Sequence, residues 1–141
     1  MNKLTFDHFS QINKARCTMG FKQELSDWSL SDWFTATMGE LGEAANVAKK
    51  LNRARDGIPG NTLSEEELRV ELRKEIADVF IYLDLLAQSE GIDLAEAVVS
   101  KFNETSEKIN CAIKIGPERS QEEIDATIEN MLSTPVKGTS P

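Results

Sequence analysis

Two pairs of carboxylates are the residues best placed to do chemistry. Glu40 and Glu43 sit in Met38-Gly39-Glu40-Leu41-Gly42-Glu43-Ala44-Ala45, and Glu75 and Asp78 in Arg73-Lys74-Glu75-Ile76-Ala77-Asp78-Val79-Phe80. Both stretches carry apolar residues at helical spacing. In an α-helix, residues i and i+3 lie about 60° apart and one turn up, so each pair projects together. Glu40 precedes Leu41, Glu75 precedes Ile76 and Asp78 precedes Val79, which sets the acids along the edge of the apolar stripes. Two such helices packed antiparallel through those stripes would bring the pairs face to face. Four facing carboxylates repel, so several must take up protons or a cation must neutralise them.

An all-oxygen ligand set suits magnesium, which keeps water ligands and open positions for phosphate oxygens, with manganese as a substitute. Zinc would want His or Cys, and the single histidine, His8, is far away in sequence. The Glu-x-x-His motif of di-iron bundles and the calcium-binding EF-hand loop are both absent. The plainer alternative is solvated helix surface, since one Glu-x-x-Glu alone carries little weight. Glu65, Glu66, Glu67 and Glu71 read that way, as early-helix acids favoured by the helix dipole.

The elements that must position these acids are helices. Thr5 caps a first helix with Phe6, Phe9 and Ile12 at helical spacing and Gly20 as its stop. Phe21–Ser29 reads as a connection. Ser29 or Ser31 caps a second helix running to about Arg55, with the stripe Phe34, Met38, Leu41, Ala45 and Ala48. Gly39 and Gly42 cost about 1 kcal/mol each in a helix interior, which suggests close approach of a helix or a ligand. Asp56–Asn61 is a loop. Ser64 and Glu67 form a capping box for a third helix with the stripe Leu68, Leu72, Ile76, Val79, Leu83 and Leu86, ending at Gly91. Asp93 and Glu96 repeat the box for a fourth helix, with Leu94, Val98, Phe102, Thr105 and Ile109 on one side. Ser120 and Glu123 cap a short fifth, from Gln121 to about Leu132.

No alternating strand pattern, repeat or low-complexity run appears. The expected fold is all-α, an antiparallel bundle of about four to five helices with helices two, three and four as its core. The expected organisation is one domain over 1–132 (core about 28–113) and a flexible tail over 133–141. Phe80, Ile81 and Leu85 extend the apolar surface of helix three beyond one stripe. That leaves a face for a second subunit and predicts a homodimer or homotetramer.

The 141 residues suit one core-bearing domain, with 40% hydrophobic and 28% charged residues. A net charge of -8 argues against binding a nucleic acid polymer. Cys17 and Cys111 form no CxxC pair and read as reduced thiols in a cytoplasmic protein. No signal peptide or membrane span is visible.

Gly39-Glu40-Leu41-Gly42-Glu43-Ala44 followed by Glu75-Ile76-Ala77-Asp78-Val79 resembles the signature of the all-α, MazG-like nucleoside triphosphate pyrophosphohydrolases. That superfamily includes the dimeric dUTPases and the phosphoribosyl-ATP pyrophosphatases. The likeness covers roughly Trp28–Lys108, including Lys101-Phe102-Asn103-Glu104-Thr105. One departure is the longer linker between Glu43 and Glu75. The resemblance implies Mg²⁺-dependent cleavage of a nucleoside triphosphate to the monophosphate and pyrophosphate, in a house-cleaning role. It implies metal ligation by Glu40, Glu43, Glu75 and Asp78, with one glutamate orienting or deprotonating the attacking water. It also implies that Lys101 and Asn103 reach the nucleotide.

Other residues fit such a substrate. Lys50 lies two turns beyond Glu43 on the same side, with Lys49, Arg53 and Arg55 nearby. They read as a phosphate clamp, or as a basic helix end suited to the dipole. Trp28 and Trp33 offer indoles for a base to stack on, or for core packing. Tyr82, one turn beyond Asp78, is placed to touch sugar or base. Rival readings are a dUTPase or phosphoribosyl-ATP pyrophosphatase-like enzyme, and a non-catalytic helical interaction module.

Overall fold

The computed structural model describes residues 4–116 together with Ala126, residues 128–130 and Ser133. Among them the regular structure is all helical, as the sequence predicts. The chain divides into two compact units, Met1–Leu94 and Ala95–Pro141.

The first unit begins with α1, Phe6–Ala15, whose Thr5 hydroxyl accepts from the His8 N–H at 3.3 Å. A π-helical turn, Arg16–Gly20, prolongs it, and Lys22 then bends the chain with φ of 58°. The expected connection contains a short 3-10 turn, Leu25–Asp27. Ser29 and Asp32 cap α2, Leu30–Arg55, and Ser64 and Glu67 cap α3, Glu65–Ser89. Both caps are reciprocal boxes, in which each serine hydroxyl and main-chain N–H are satisfied by the acid three residues on. Those bonds to serine hold the Asp32 and Glu67 carboxyls below their ordinary values. Gly91, at φ 67°, follows the end of α3 in the left-handed conformation that glycine tolerates best.

Helices α2 and α3 pack against each other in antiparallel register: Trp33 meets Leu85, Glu43 meets Glu75, and Val47 shares a recess with Leu68. Trp33, Cys17, Leu85 and Leu86 form the buried cluster, with Leu25, Trp28 and Tyr82 packed on it. The Trp33 indole N–H donates to the Leu25 carbonyl at 3.1 Å, so the ring is buried without a stranded donor.

The buried faces differ from the expected stripes by one residue. On α2 the buried line is Trp33, Thr37, Ala44 and Val47, while Phe34, Met38 and Leu41 are exposed. On α3, Leu68 and Leu86 are buried as expected, but Ile76 and Leu83 face outward and Asp84, Leu85 and Ala87 are buried. The reason is the π turn and the 3-10 turn, whose Cys17 and Leu25 pack on Trp33 and Leu85 and set which stripe is covered. The first-helix stripe shifts too: Ile12 is exposed and Asn13 buried. Gly39 and Gly42 are not close-approach sites within this unit, since a Cβ at either would meet nothing within 4 Å.

A polar network ties α1 to α3. Asp84 is fully buried and accepts from the Ser10 hydroxyl, from Asn13 Nδ2 at 2.9 Å and from Gln88 Nε2 at 2.8 Å. Asn13 Nδ2 also donates to the Ile81 carbonyl, and Gln88 Nε2 to that of Ser10.

In the second unit, α4 spans Leu94–Lys108. Its expected stripe is largely exposed within the unit, with Val98, Phe102 and Ile109 each at least 40% accessible and Ser106 buried. The 111–116 segment is tied back to α4 through Asn103, whose amide both donates to and accepts from the Ile115 main chain at 2.8 Å. The predicted fifth helix and tail lie mostly outside the described residues; Ala126, residues 128–130 and Ser133 are helical. No helix of the described residues is long and apolar enough to cross a membrane.

Candidate active site

The four acids border the covered faces of α2 and α3, and none of them is buried. Glu40 continues the Trp33–Thr37 line by one turn. One carboxylate oxygen each from Glu40, Glu43 and Glu75 lies within 4.8 Å of the other two. Glu40 and Glu75 are half-buried and Glu43 is exposed, so the cluster opens to solvent on the Glu43 side. Asp78 stands outside that trio, one turn along α3, but close enough for its charge to act on Glu40. The Glu40 carboxyl is pushed above its ordinary value, first by burial and then by the charges of Asp78, Glu43 and Glu75. None of the four acids has a lysine or arginine ion-pair partner among the described residues. An oxygen-only donor set with unneutralised charge fits a hard divalent cation, and Glu40, Glu43 and Glu75 are the residues able to hold one.

Two recesses flank the cluster. The larger, about 500 Å³, is lined by the acids Glu40 and Asp78 together with the aromatic residues Trp28, Trp33, Tyr82 and Phe21. The Trp28 and Trp33 rings are 4.7 Å apart between centroids and tilted by 54°. Trp28 and Tyr82 are half-buried and present ring surface, whereas Trp33, 1% exposed, backs the wall as a core residue. The second recess, about 330 Å³, is lined by Glu43, Asn46 and Lys50 from α2 and by Glu75 from α3. Glu71 lines it as well, while its carboxylate pairs with Lys74 at 2.7 Å; it is therefore more than the solvated acid expected.

Of the basic residues expected to clamp phosphate, only Lys50 reaches this region. Arg53 is spent on the 56–61 loop, where it donates to the Pro59 carbonyl, and Arg55 pairs with Asp56 at 2.7 Å. Asn61 Nδ2 donates to the Lys50 carbonyl at 2.8 Å, fixing the loop against the end of α2. Lys49 is exposed. Lys101 and Asn103 belong to the second unit, where Lys101 pairs with Glu104 at 3.0 Å and Asn103 holds Ile115.

Arg16 and Gln23, which sequence reasoning missed, also line the larger recess. Arg16 donates to Asn13 Oδ1 at 3.2 Å and lies 5.8 Å from the centroid of the Phe21 ring. The buried Asp84 network thus reaches the recess through Asn13. Both missed residues sit in irregular turns, where no periodicity marks a side chain as inward-facing.

No protein-family model and no solved structure matches the chain. Two curated proteins do. Over 68 residues the chain is 37% identical to dCTP pyrophosphatase 1 of Rattus norvegicus and, equally, to dCTP pyrophosphatase 1 of Mus musculus. The match takes in 48% of this chain and 38% of each relative, so it spans well under half the length of the proteins it resembles. That homology, on an all-α fold carrying clustered helix-borne acids, bears out the likeness of this chain to the MazG-like superfamily.

Proposed function

We propose that the protein is a divalent-metal-dependent nucleoside triphosphate pyrophosphohydrolase that serves nucleotide-pool house-cleaning. The observation that carries this reading is the convergence of Glu40, Glu43 and Glu75 between an aromatic recess and a recess bearing Lys50. A base stacks in the first, on Trp28 and Tyr82 with Trp33 behind. Lys50 meets phosphate charge in the second. The name of the two relatives supports a deoxynucleoside triphosphate such as dCTP as the first substrate to try; a dUTPase or phosphoribosyl-ATP pyrophosphatase-like preference uses the same acids.

Glu40, Glu43 and Glu75 would hold the cation, Mg²⁺ first and Mn²⁺ as its substitute, with Asp78 retained by resemblance as a fourth ligand. The bound cation supplies charge neutralisation for phosphoryl oxygens as pyrophosphate leaves. One glutamate of the set orients the attacking water and accepts its proton. The water oxygen bonds to phosphorus, the α–β phosphoanhydride P–O bond breaks, and the products are a nucleoside monophosphate and pyrophosphate. No covalent enzyme intermediate is required. Lys101 is retained as a nucleotide contact by resemblance; Asn103, engaged with Ile115, is the weaker member of that pair.

We place the protein in the cytoplasm, which the two free cysteines support. The face expected on α3 is largely covered within the chain, since Phe80 packs on Phe6 and Phe9 and Leu85 is buried, so we read the outward face of Phe34, Met38 and Leu41 on α2 as the seat of a second copy, giving a homodimer or homotetramer. The test of the site is substitution: Glu43→Gln and Asp78→Asn each abolish pyrophosphate release while the helical circular dichroism signal survives. Full activity in both variants would overturn the assignment.

A further inference from the structure

Gln23 lines the larger recess with a side-chain donor that has no partner among the described residues. Its backbone is pinned at both ends of the peptide unit: the Gln23 N–H donates to the Cys17 carbonyl at 3.3 Å, and the Gln23 carbonyl accepts from Cys17 Sγ at 3.4 Å. The side chain lines the recess that also holds Trp28, Tyr82, Glu40 and Asp78. Its Nε2 is buried and has no hydrogen-bond partner among the described residues. Buried amides are nearly always paired, and this one belongs to a side chain lining an open recess, so a turn of the carboxamide towards the recess would give the donor a partner in whatever enters.

We propose that Gln23 reads the nucleobase: with the base lying against Trp28 and Tyr82, the carboxamide meets its hydrogen-bonding edge. This rests on the nucleotide reading above and deepens it. The size is suitable, since about 500 Å³ falls in the usual range for small-ligand pockets. The chemistry is suitable as well. Stacking on aromatic faces tolerates any base, so discrimination has to come from a group addressing the edge. A carboxamide offers one donor face and one acceptor face, which pairs with an edge carrying an acceptor beside a donor, such as N3 and the amino group of cytosine.

The test compares kcat/KM for dATP, dGTP, dCTP and dTTP with Mg²⁺ in wild type, Gln23→Leu and Gln23→Glu. Ratios between bases within one variant cancel any general loss of folded enzyme, which a purely structural role would produce. Gln23→Leu is expected to shrink the spread between best and worst base by about 5–10-fold, the worth of one hydrogen bond. Gln23→Glu, an acceptor only, is expected to raise dGTP relative to the others, because the guanine edge offers two adjacent donors. Inhibition by inorganic tripolyphosphate, which has no base, is expected to be unchanged in both variants. Turnover with base ratios unmoved in both variants overturns the role of Gln23 and leaves the proposed activity standing. A wild type that neither hydrolyses the four substrates nor changes tryptophan fluorescence on binding them overturns both.

Discussion

Replacing Glu40 by glutamine should make the metal-free protein more stable while destroying its use of metal. Glu40 is half-buried, and its carboxylate oxygen lies within 4.8 Å of oxygens from Glu43 and Glu75. Two unit charges at that distance repel by about 1 kcal/mol in bulk water and by about twice that at half the dielectric constant. Glu40 meets two such neighbours and Asp78 beyond them, but the cluster is partly open, and salt screening reduces the sum. A net gain of about 1 kcal/mol for Glu40→Gln in EDTA is the expected outcome, which raises Tm by about 3–5 °C in a chain of this size. The sign with pH follows from the direction of the shift. The folded-state value of Glu40 is raised above the ordinary 4.5, so its contribution to stability is fully present below 4.5 and is lost as pH rises through the folded value. The advantage of the glutamine variant should therefore be absent in acid and full at neutral pH. Adding Mg²⁺ should raise the Tm of wild type more than that of the variant, because binding to the native state adds stability by mass action. The assay is thermal unfolding by circular dichroism at several pH values, with EDTA and with Mg²⁺. A variant less stable than wild type in EDTA at neutral pH would refute the premise that these acids repel one another without compensation.

Two further outcomes follow from the packing. Asp84→Leu strands the Ser10 hydroxyl and leaves the Asn13 and Gln88 amides with one carbonyl partner each in the α1–α3 interface, at about 1–3 kcal/mol for each buried N–H or O–H left unpaired. Chemical denaturation should show a loss of about 3 kcal/mol or more, with Asp84→Asn losing less; wild-type stability in the leucine variant would contradict the network. Phe34→Lys, on the outward face of α2, should yield monomers in light scattering with the helical signal intact, whereas an assembly of wild-type size would remove that face from the interface.

The helix ends were legible because their signals are local. Thr5, Ser29 and Ser64 cap from their own first turns, and Gly91 supplies the left-handed residue that closes α3. The acid pairs were legible for the same reason, since i and i+3 share a face whatever the helix packs on. The choice between adjacent stripes was not. On α2 the exposed line carries Phe34, Met38 and Leu41, while the buried one is interrupted by Thr37 and Glu40, so hydrophobicity favoured the line that the single chain leaves uncovered. Thr37 is accommodated because its hydroxyl donates to the Trp33 carbonyl at 2.9 Å, and Glu40 because it sits at the site. Arg16, Gln23 and Asp84 depend on contacts between segments remote in sequence, and no spacing rule announces them.

In the proposed activity these acids serve cleavage at the α–β phosphoanhydride of a nucleoside triphosphate. Product analysis by phosphorus NMR over a panel of NTPs and dNTPs, with Mg²⁺ and with EDTA, addresses it most directly. Equal amounts of monophosphate and pyrophosphate are expected with Mg²⁺, and no turnover in EDTA. Orthophosphate as the first product, or hydrolysis that persists in EDTA, would contradict it.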